Sequence, residues 1–169
     1  MTHDSLEPLL LQLGDALADA NQPTAAFDGL AAIVRQRIGC RLFTVLCRDV
    51  DTNESVRIYT SEPEAYPVGG RKTPSNLSGW GEQVLVKAQP WLGRTHEDIA
   101  WAFFDHELIK SLGCGSAINL PVRWNGNVLG TINILDAENA YSESSVKAVL
   151  PFAPLMVPPL LLAIEQGRE

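Results

Sequence analysis

The chain has 169 residues, 46% hydrophobic and 20% charged, the size and balance of one globular domain with a core of its own. That composition excludes wholesale disorder, a collagen-like fibre and a disulfide scaffold. With 13 Lys and Arg against 20 Asp and Glu the formal charge is −7, and no basic run reverses it locally, which argues against a nucleic-acid partner.

Leu6, Leu9, Leu10, Leu13 and Leu17 recur at spacings of three and four, predicting an amphipathic helix capped by Ser5, with Pro8 tolerated in the first turn. Asn21 to Thr24 interrupts it. Phe27, Leu30, Ala31, Val34 and Ile38 repeat the stripe, and Gly39 closes the second helix. From Arg41 the period changes: residues 41–47 (RLFTVLC) read as a strand, 49–54 as a turn and 55–60 (SVRIYT) as its antiparallel partner. Asp49, Asp51 and Asn53 alternate as in a calcium loop. Glu54 replaces the required Gly, however, and Thr60 the closing Glu, so the segment is a hairpin turn.

Residues 61–77, with prolines and the pair Gly69-Gly70, read as a long loop, followed by a helix over 79–88 and an extended piece at 90–93. Residues 97–112 predict one aromatic-rich helix, stopped by Gly113 and Gly115 around Cys114. On it Trp101, Phe104 and Leu108 share an apolar face that should point inward, with Phe103 off that face and His106 at the surface. Strands at 116–122 and 128–135 flank an Asn125-Gly126 turn signal. Both strands are apolar at nearly every position, so the sheet should be covered on both faces. A last helical region, 142–166, carries Pro151, Pro154, Pro158 and Pro159. It should break into a helix ending near Leu150, an irregular apolar stretch and a final turn from Pro158 or Pro159. Antiparallel strands flanked by terminal helices define an α+β fold.

Cys40, Cys47 and Cys114 form no Cys-x-x-Cys pair and have no histidine at zinc-ligand spacing, so buried reduced thiols are the plain reading. The N-terminus lacks the charged and apolar regions of a signal peptide. The apolar run 149–164 is proline-broken and shorter than the ~20 residues of a membrane span. A cytoplasmic protein without membrane contact is expected. No Gly-x-Ser-x-Gly elbow is present, and residues 113–116 lack the Lys and helix of a phosphate loop.

Three stretches, 27–47 (FDGLAAIVRQRIGCRLFTVLC), 77–94 (LSGWGEQVLVKAQPWLGR) and 112–136 (LGCGSAINLPVRWNGNVLGTINILD), resemble the GAF domains of small-molecule sensors. The resemblance covers about residues 20–165, with 1–20 as an added N-terminal helix and 1–169 as a single domain. It implies a central antiparallel sheet of about six strands, with N- and C-terminal helices on one face and a loop- and helix-roofed pocket on the other. It also implies homodimers through the terminal helices, the C-terminal one normally unbroken. One branch of the family, the free methionine-R-sulfoxide reductases, is enzymatic. Anchored on Pro121 and Gly130, the acids of that branch fall here on Ala117, Asn133 and Leu135, and Cys114 lies too close to Pro121 to match the catalytic cysteine.

The candidate ligand-binding residues are Trp101, Phe104, Asn119, Asn133, Cys114 and Thr131. An unpaired buried carboxamide costs about 1–3 kcal/mol, so Asn119 and Asn133 need partners, in a ligand or within the fold. The register implied by the resemblance puts both on the pocket face; a strict two-residue Asn-Gly turn puts them on opposite faces. Arg71 and Lys72 are paired positive charges in an acidic chain, suited to an anionic ligand or to keeping a loop soluble. The expected function is a non-catalytic, small-molecule-binding sensory domain. It would order the loop 61–77, shift its terminal helices and signal to a separate partner protein. No metal is expected, and the sequence names no cofactor. The alternatives are a redox enzyme or thiol sensor working through Cys114, and a dimerisation module without ligand.

Overall fold

The computed structural model describes residues 5–49, 51–73 and 78–167; residues 74–77 of the expected loop lie outside the described residues. Helix α1 (Leu6–Ala18) buries Leu9 and Leu13, and Ser5 stands at its N-cap without the expected side-chain bond. Helix α2 (Thr24–Arg37) buries Phe27, Leu30, Ile33 and Val34, and its last turn is closed by Gly39 at φ +80°, whose N–H reaches the carbonyls of Val34 and Arg35.

The strands are β1 (Leu42–Asp49), β2 (Glu54–Thr60), β3 (Arg71–Lys72), β4 (Trp91–Gly93), β5 (Ser116–Trp124) and β6 (Asn127–Asp136). They form one six-stranded sheet in the order β3-β2-β1-β6-β5-β4, and every neighbouring pair is antiparallel. The short β3 corrects the expectation of an unstructured loop: Lys72 and Arg71 pair with Ser55 and Val56.

Both faces of the sheet are covered, as continuous apolar strands demand. Phe43, Val45, Ile118, Leu120, Ile132 and Ile134 join the core under α1, α2 and the C-terminal helices. Leu42, Ala117 and Leu135 face a second cluster, built on the other side with Trp80, Trp91, Phe103 and Ile109. That roof consists of α3 (Ser78–Gly81), continued by a π-helical turn over Glu82–Val86, then α4 (His96–Ala102) and α5 (His106–Ser111). The single helix expected over 97–112 is therefore two. Thr95 and Asp98 cap α4 reciprocally, and Phe103 leaves the helix in extended conformation.

The C-terminal region breaks where its prolines require. Helix α6 (Glu143–Val149) passes into a 3₁₀ turn (Leu150–Met156), tighter than the irregular stretch expected, and then into α7 (Val157–Gln166), with proline in its first turn. By length and mean hydropathy, 1.8 in its most apolar window, Glu143–Gln166 has the character of a membrane span. Here Phe152, Met156 and Leu160 are fully buried in the same core as Phe27 and Ile118.

The β5–β6 hairpin decides where its asparagines point. Asn125 (φ +51°) and Gly126 (φ +76°) make a two-residue turn between the paired Trp124 and Asn127. Left alone, that register would split Asn119 and Asn133 between the faces. A bulge intervenes: Arg123 pairs with Val128 but Val122 pairs with Gly130, leaving Leu129 extra and bringing Asn119 opposite Asn133. Gly130 permits this crossing, since a Cβ there would lie 2.1 Å from the Leu46 carbonyl oxygen and 3.2 Å from Cys47 Cα, both backbone atoms. Gly130→Ala should therefore cost roughly 1–3 kcal/mol, read as a lower urea midpoint. An unchanged midpoint would mean that β1 and β6 separate freely at the bulge.

Candidate functional site

The centre of the roofed sheet face is polar. Trp80 Nε1 donates to Asn119 Oδ1 at 2.9 Å, Asn119 Nδ2 to Asn133 Oδ1 at 2.8 Å, and Asn133 Nδ2 to Thr44 Oγ1 at 3.2 Å. This chain fixes both carboxamide orientations, because each oxygen accepts and each nitrogen donates. The two asparagines are thus partnered within the fold. Thr131, on the same face of β6, is fully buried and its hydroxyl has no hydrogen-bond partner among the described residues.

Beside this chain lies a charged cluster. Arg57 of β2 and Lys72 of β3 are 6% exposed each. Asp105, in the break between α4 and α5, faces both: Lys72 Nζ lies 3.4 Å from Oδ1 and Arg57 Nη2 3.8 Å from Oδ2. Tyr66 donates its hydroxyl to Asp105 at 2.6 Å. Arg57 Nη1 donates to the Pro67 carbonyl at 2.8 Å while its guanidinium lies 3.5 Å from the Tyr66 ring centroid; Nε has no partner among the described residues. Lys72 Nζ sits 4.2 Å from the Phe103 ring centroid. Burial pulls the Lys72 ammonium's pKa down from its ordinary value, with Asp105 opposing the shift. Burial pushes the Asp105 carboxyl up, but the Lys72 charge, the Tyr66 hydrogen bond and the Arg57 charge outweigh it and hold it below the usual carboxylate range.

Thr44, Arg57, Tyr66, Lys72, Asn119 and Asn133 line a cavity of about 20 Å³ between sheet and roof, enough for about one water. Of the residues singled out in the sequence, Asn119, Asn133 and Lys72 meet there. Trp101 and Phe104 do not point inward: they are 52% and 55% exposed, and Leu108 is also exposed. The helix break turns the stripe over, so Phe103 enters the core against Trp80 and Trp91, while Trp101 stacks outside on Trp91 at 6.1 Å. Arg71 is exposed and paired with Glu54 and Asp49, whereas its neighbour Lys72 goes inward, following the two-residue alternation of a strand. Arg57, Tyr66 and Asp105 were missed, and Phe103, expected off the inward face, is the aromatic that turns in. An arginine among the apolar residues of a strand, at Arg57, was the available signal.

No family model matches the chain, and no curated protein matches it either. Solved structures do. The GAF domain of a phosphoenolpyruvate-protein phosphotransferase from Coxiella burnetii superposes with a TM-score of 0.76 at 15% identity, covering 100% of both chains. The corresponding Acinetobacter domain gives 0.73 at 12% identity, over 96% of each chain. The chain has the GAF-domain fold. The GAF fold also includes a free methionine-R-sulfoxide reductase from Neisseria meningitidis, solved with its substrate, at a TM-score of 0.69 and 16% identity over 95% of this chain and 90% of that one. Identities this low carry the fold and no residue role.

Thiol chemistry of this GAF fold depends on its cysteines. Cys114 is fully buried beside the roof cluster, and burial, with the Asp136 charge adding, pushes its thiol up to about 11. Burial also raises Cys40 and Cys47 to about 11. Such thiols are almost wholly protonated at neutral pH. Among the described residues no group of three or more His, Cys, Asp and Glu is placed to hold a metal.

Two outcomes follow. Iodoacetamide at pH 7 should label Cys114 and Cys47 only after denaturant is added, by peptide mass mapping; Cys114 labelling in the native protein within minutes would show a reactive thiol. Asp105→Ala should cost about 3–5 kcal/mol at pH 7, because two buried cations lose their anion. The carboxyl's depressed pKa stabilises the fold above the unfolded value of about 3.9, and this contribution is lost as pH falls through the lower folded value. The gap between wild type and variant, read by urea unfolding, should accordingly close toward pH 2, roughly the acid limit of such titrations. A gap independent of pH would remove Asp105 from the charge balance.

Proposed function

We propose that this chain is a small-molecule-binding sensory domain without catalytic activity, whose ligand enters between the sheet and the roof. The observation that carries the reading is the cavity itself. Its walls hold Arg57, Lys72, Asn119 and Asn133, and Arg57 Nε lacks a hydrogen-bond partner among the described residues. Protein interiors rarely leave such a donor idle, so an idle one in a cavity wall supports a ligand's polar atom as its partner. The cavity's small volume implies that the roof moves outward when ligand enters. Thr131, Asn119 and Asn133 remain proposed contacts of that ligand, with Arg57, Tyr66 and Lys72 added; Trp101, Phe104 and Cys114 are not carried forward as contacts. The fold's occurrence in a Bacillus halodurans sensor histidine kinase and in phosphotransferase proteins supports a signalling output through a separate partner protein. Exposed Leu10 and Leu11 of α1 and Leu161 of α7 supply apolar surface for a homodimer. A cytoplasmic location fits this reading.

The same small cavity favours one other reading, a dimerisation module whose pocket is filled by its own side chains. A thermal-shift screen of polar metabolites, with native mass spectrometry of the purified protein, separates them. A sensor should show one compound class raising the unfolding midpoint by about 3 °C or more. No shift across the panel and no retained mass would leave the filled module.

A further inference from the structure

The charges under the roof do not balance. Arg57 and Lys72 are both buried, and their ion pairs converge on one carboxylate, Asp105. Among the described residues one anion faces two cations, where buried charge is costly unless paired. The rest of their coordination is makeshift: a carbonyl from Pro67 and the faces of Tyr66 and Phe103. The guanidinium is also incompletely used. Its Nη1 is committed to Pro67, but Nε is unpartnered among the described residues and Nη2 comes no nearer to Asp105 than 3.8 Å, beyond hydrogen-bond reach. Nε and Nη2 form one edge of the planar fork, the edge that receives a carboxylate through two parallel hydrogen bonds. Nε on that edge is buried and without a partner among the described residues, so the edge can still receive one.

The two cations and their anion belong to different bodies. Arg57 and Lys72 come from adjacent strands at one side of the sheet, whereas Asp105 comes from the break between two short roof helices. Asp105 therefore leaves the cations whenever the roof lifts; its contacts with them, at 3.4 and 3.8 Å, are long, and its short bond is the one from Tyr66 at 2.6 Å.

We propose that Asp105 holds the place of a ligand carboxylate: a small carboxylic acid displaces it from Arg57 and Lys72, takes the Nε–Nη2 edge of Arg57 in two hydrogen bonds, and frees the roof. The inference rests on the cavity being the ligand site and adds the ligand's chemical class. The acid's remaining polar atoms meet Asn119 and Asn133, and its entry removes Asp105 from the lysine and arginine that hold the roof down. Roof opening and ligand binding are then one event, with Asp105 as the latch.

Chemical rescue tests this directly. Asp105→Ala empties the carboxylate's place, and its unfolding midpoint is measured at pH 7 in sodium acetate, sodium phosphate and sodium chloride at matched ionic strength. Acetate should raise the midpoint by about 3 °C or more over chloride, phosphate should not, and the added Arg57→Met substitution should abolish the effect. No acetate response, or an equal response to phosphate, overturns the proposal. If Asp105→Ala is unfolded in every salt, Asp105→Asn keeps the side chain's volume and removes its charge. Amides of residues 96–112 should then exchange about tenfold faster than in the wild type while β5 and β6 stay protected; unchanged roof exchange overturns the latch. Failure here is separable from failure of the proposed function. Retention of a neutral metabolite without acetate rescue leaves a sensor with a different ligand, whereas acetate rescue with an empty metabolite screen leaves an anion site in a protein that is not a sensor.

Discussion

The contact of Asp105 with Lys72, Arg57 and Tyr66 is the constraint around which the roofed side of the sheet is organised. Two cations on adjacent strands are pressed under the roof beside the asparagine chain, and a carboxylate must reach them across the gap. An unbroken helix over 97–112 would place Asp105 by helical geometry alone. The chain instead leaves helix at Phe103, gives up a turn of backbone hydrogen bonds, and gains both the buried Phe103 ring and the ion pairs. The same break sends Trp101, Phe104 and Leu108 outward. Closure of the cavity and exposure of the expected aromatic contacts are two results of one local exchange.

The opposite face has a simpler logic. Its core is a continuous apolar cluster under α1, α2, α6 and α7, with Asp28 bonded to Tyr59 and Arg37 to the Ala148 carbonyl at its margins. The prolines of the C-terminal region do not spoil this packing. Each falls where a helix start or a 3₁₀ turn tolerates a missing donor, and Phe152, Met156 and Leu160 still reach the core. Helices pack on one side over an apolar core, while the other side carries short helices tied to the sheet through Asp105.

Much of the fold was legible because its signals are local. The leucine stripe of α1, the stripe of α2 with Gly39 at its end, the apolar strands of the central hairpin and the proline breaks after Leu150 each depend on neighbours a few residues away. The site was legible only in part. Asn119 and Asn133 stood out as carboxamides in apolar strands, and their meeting depended on a bulge at Leu129 that two-residue periodicity does not announce. Arg57, Tyr66, Lys72 and Asp105 are spread over nearly fifty positions of sequence. Lys72 drew notice only as a charge beside Arg71, and the alternation of β3 sent the two in opposite directions.

By itself, then, the sequence determined an acidic α+β domain with an antiparallel sheet covered on both faces and a proline-broken C-terminal helix. These properties follow from composition and from side-chain periods of 2 and about 3.6 residues, which backbone geometry imposes locally. The tertiary structure alone decided which aromatics turn inward, that both asparagines find partners within the fold, and that one roof carboxylate answers two sheet cations. Those outcomes are set by the energy of burying charge and rings between distant segments, and no local period records it.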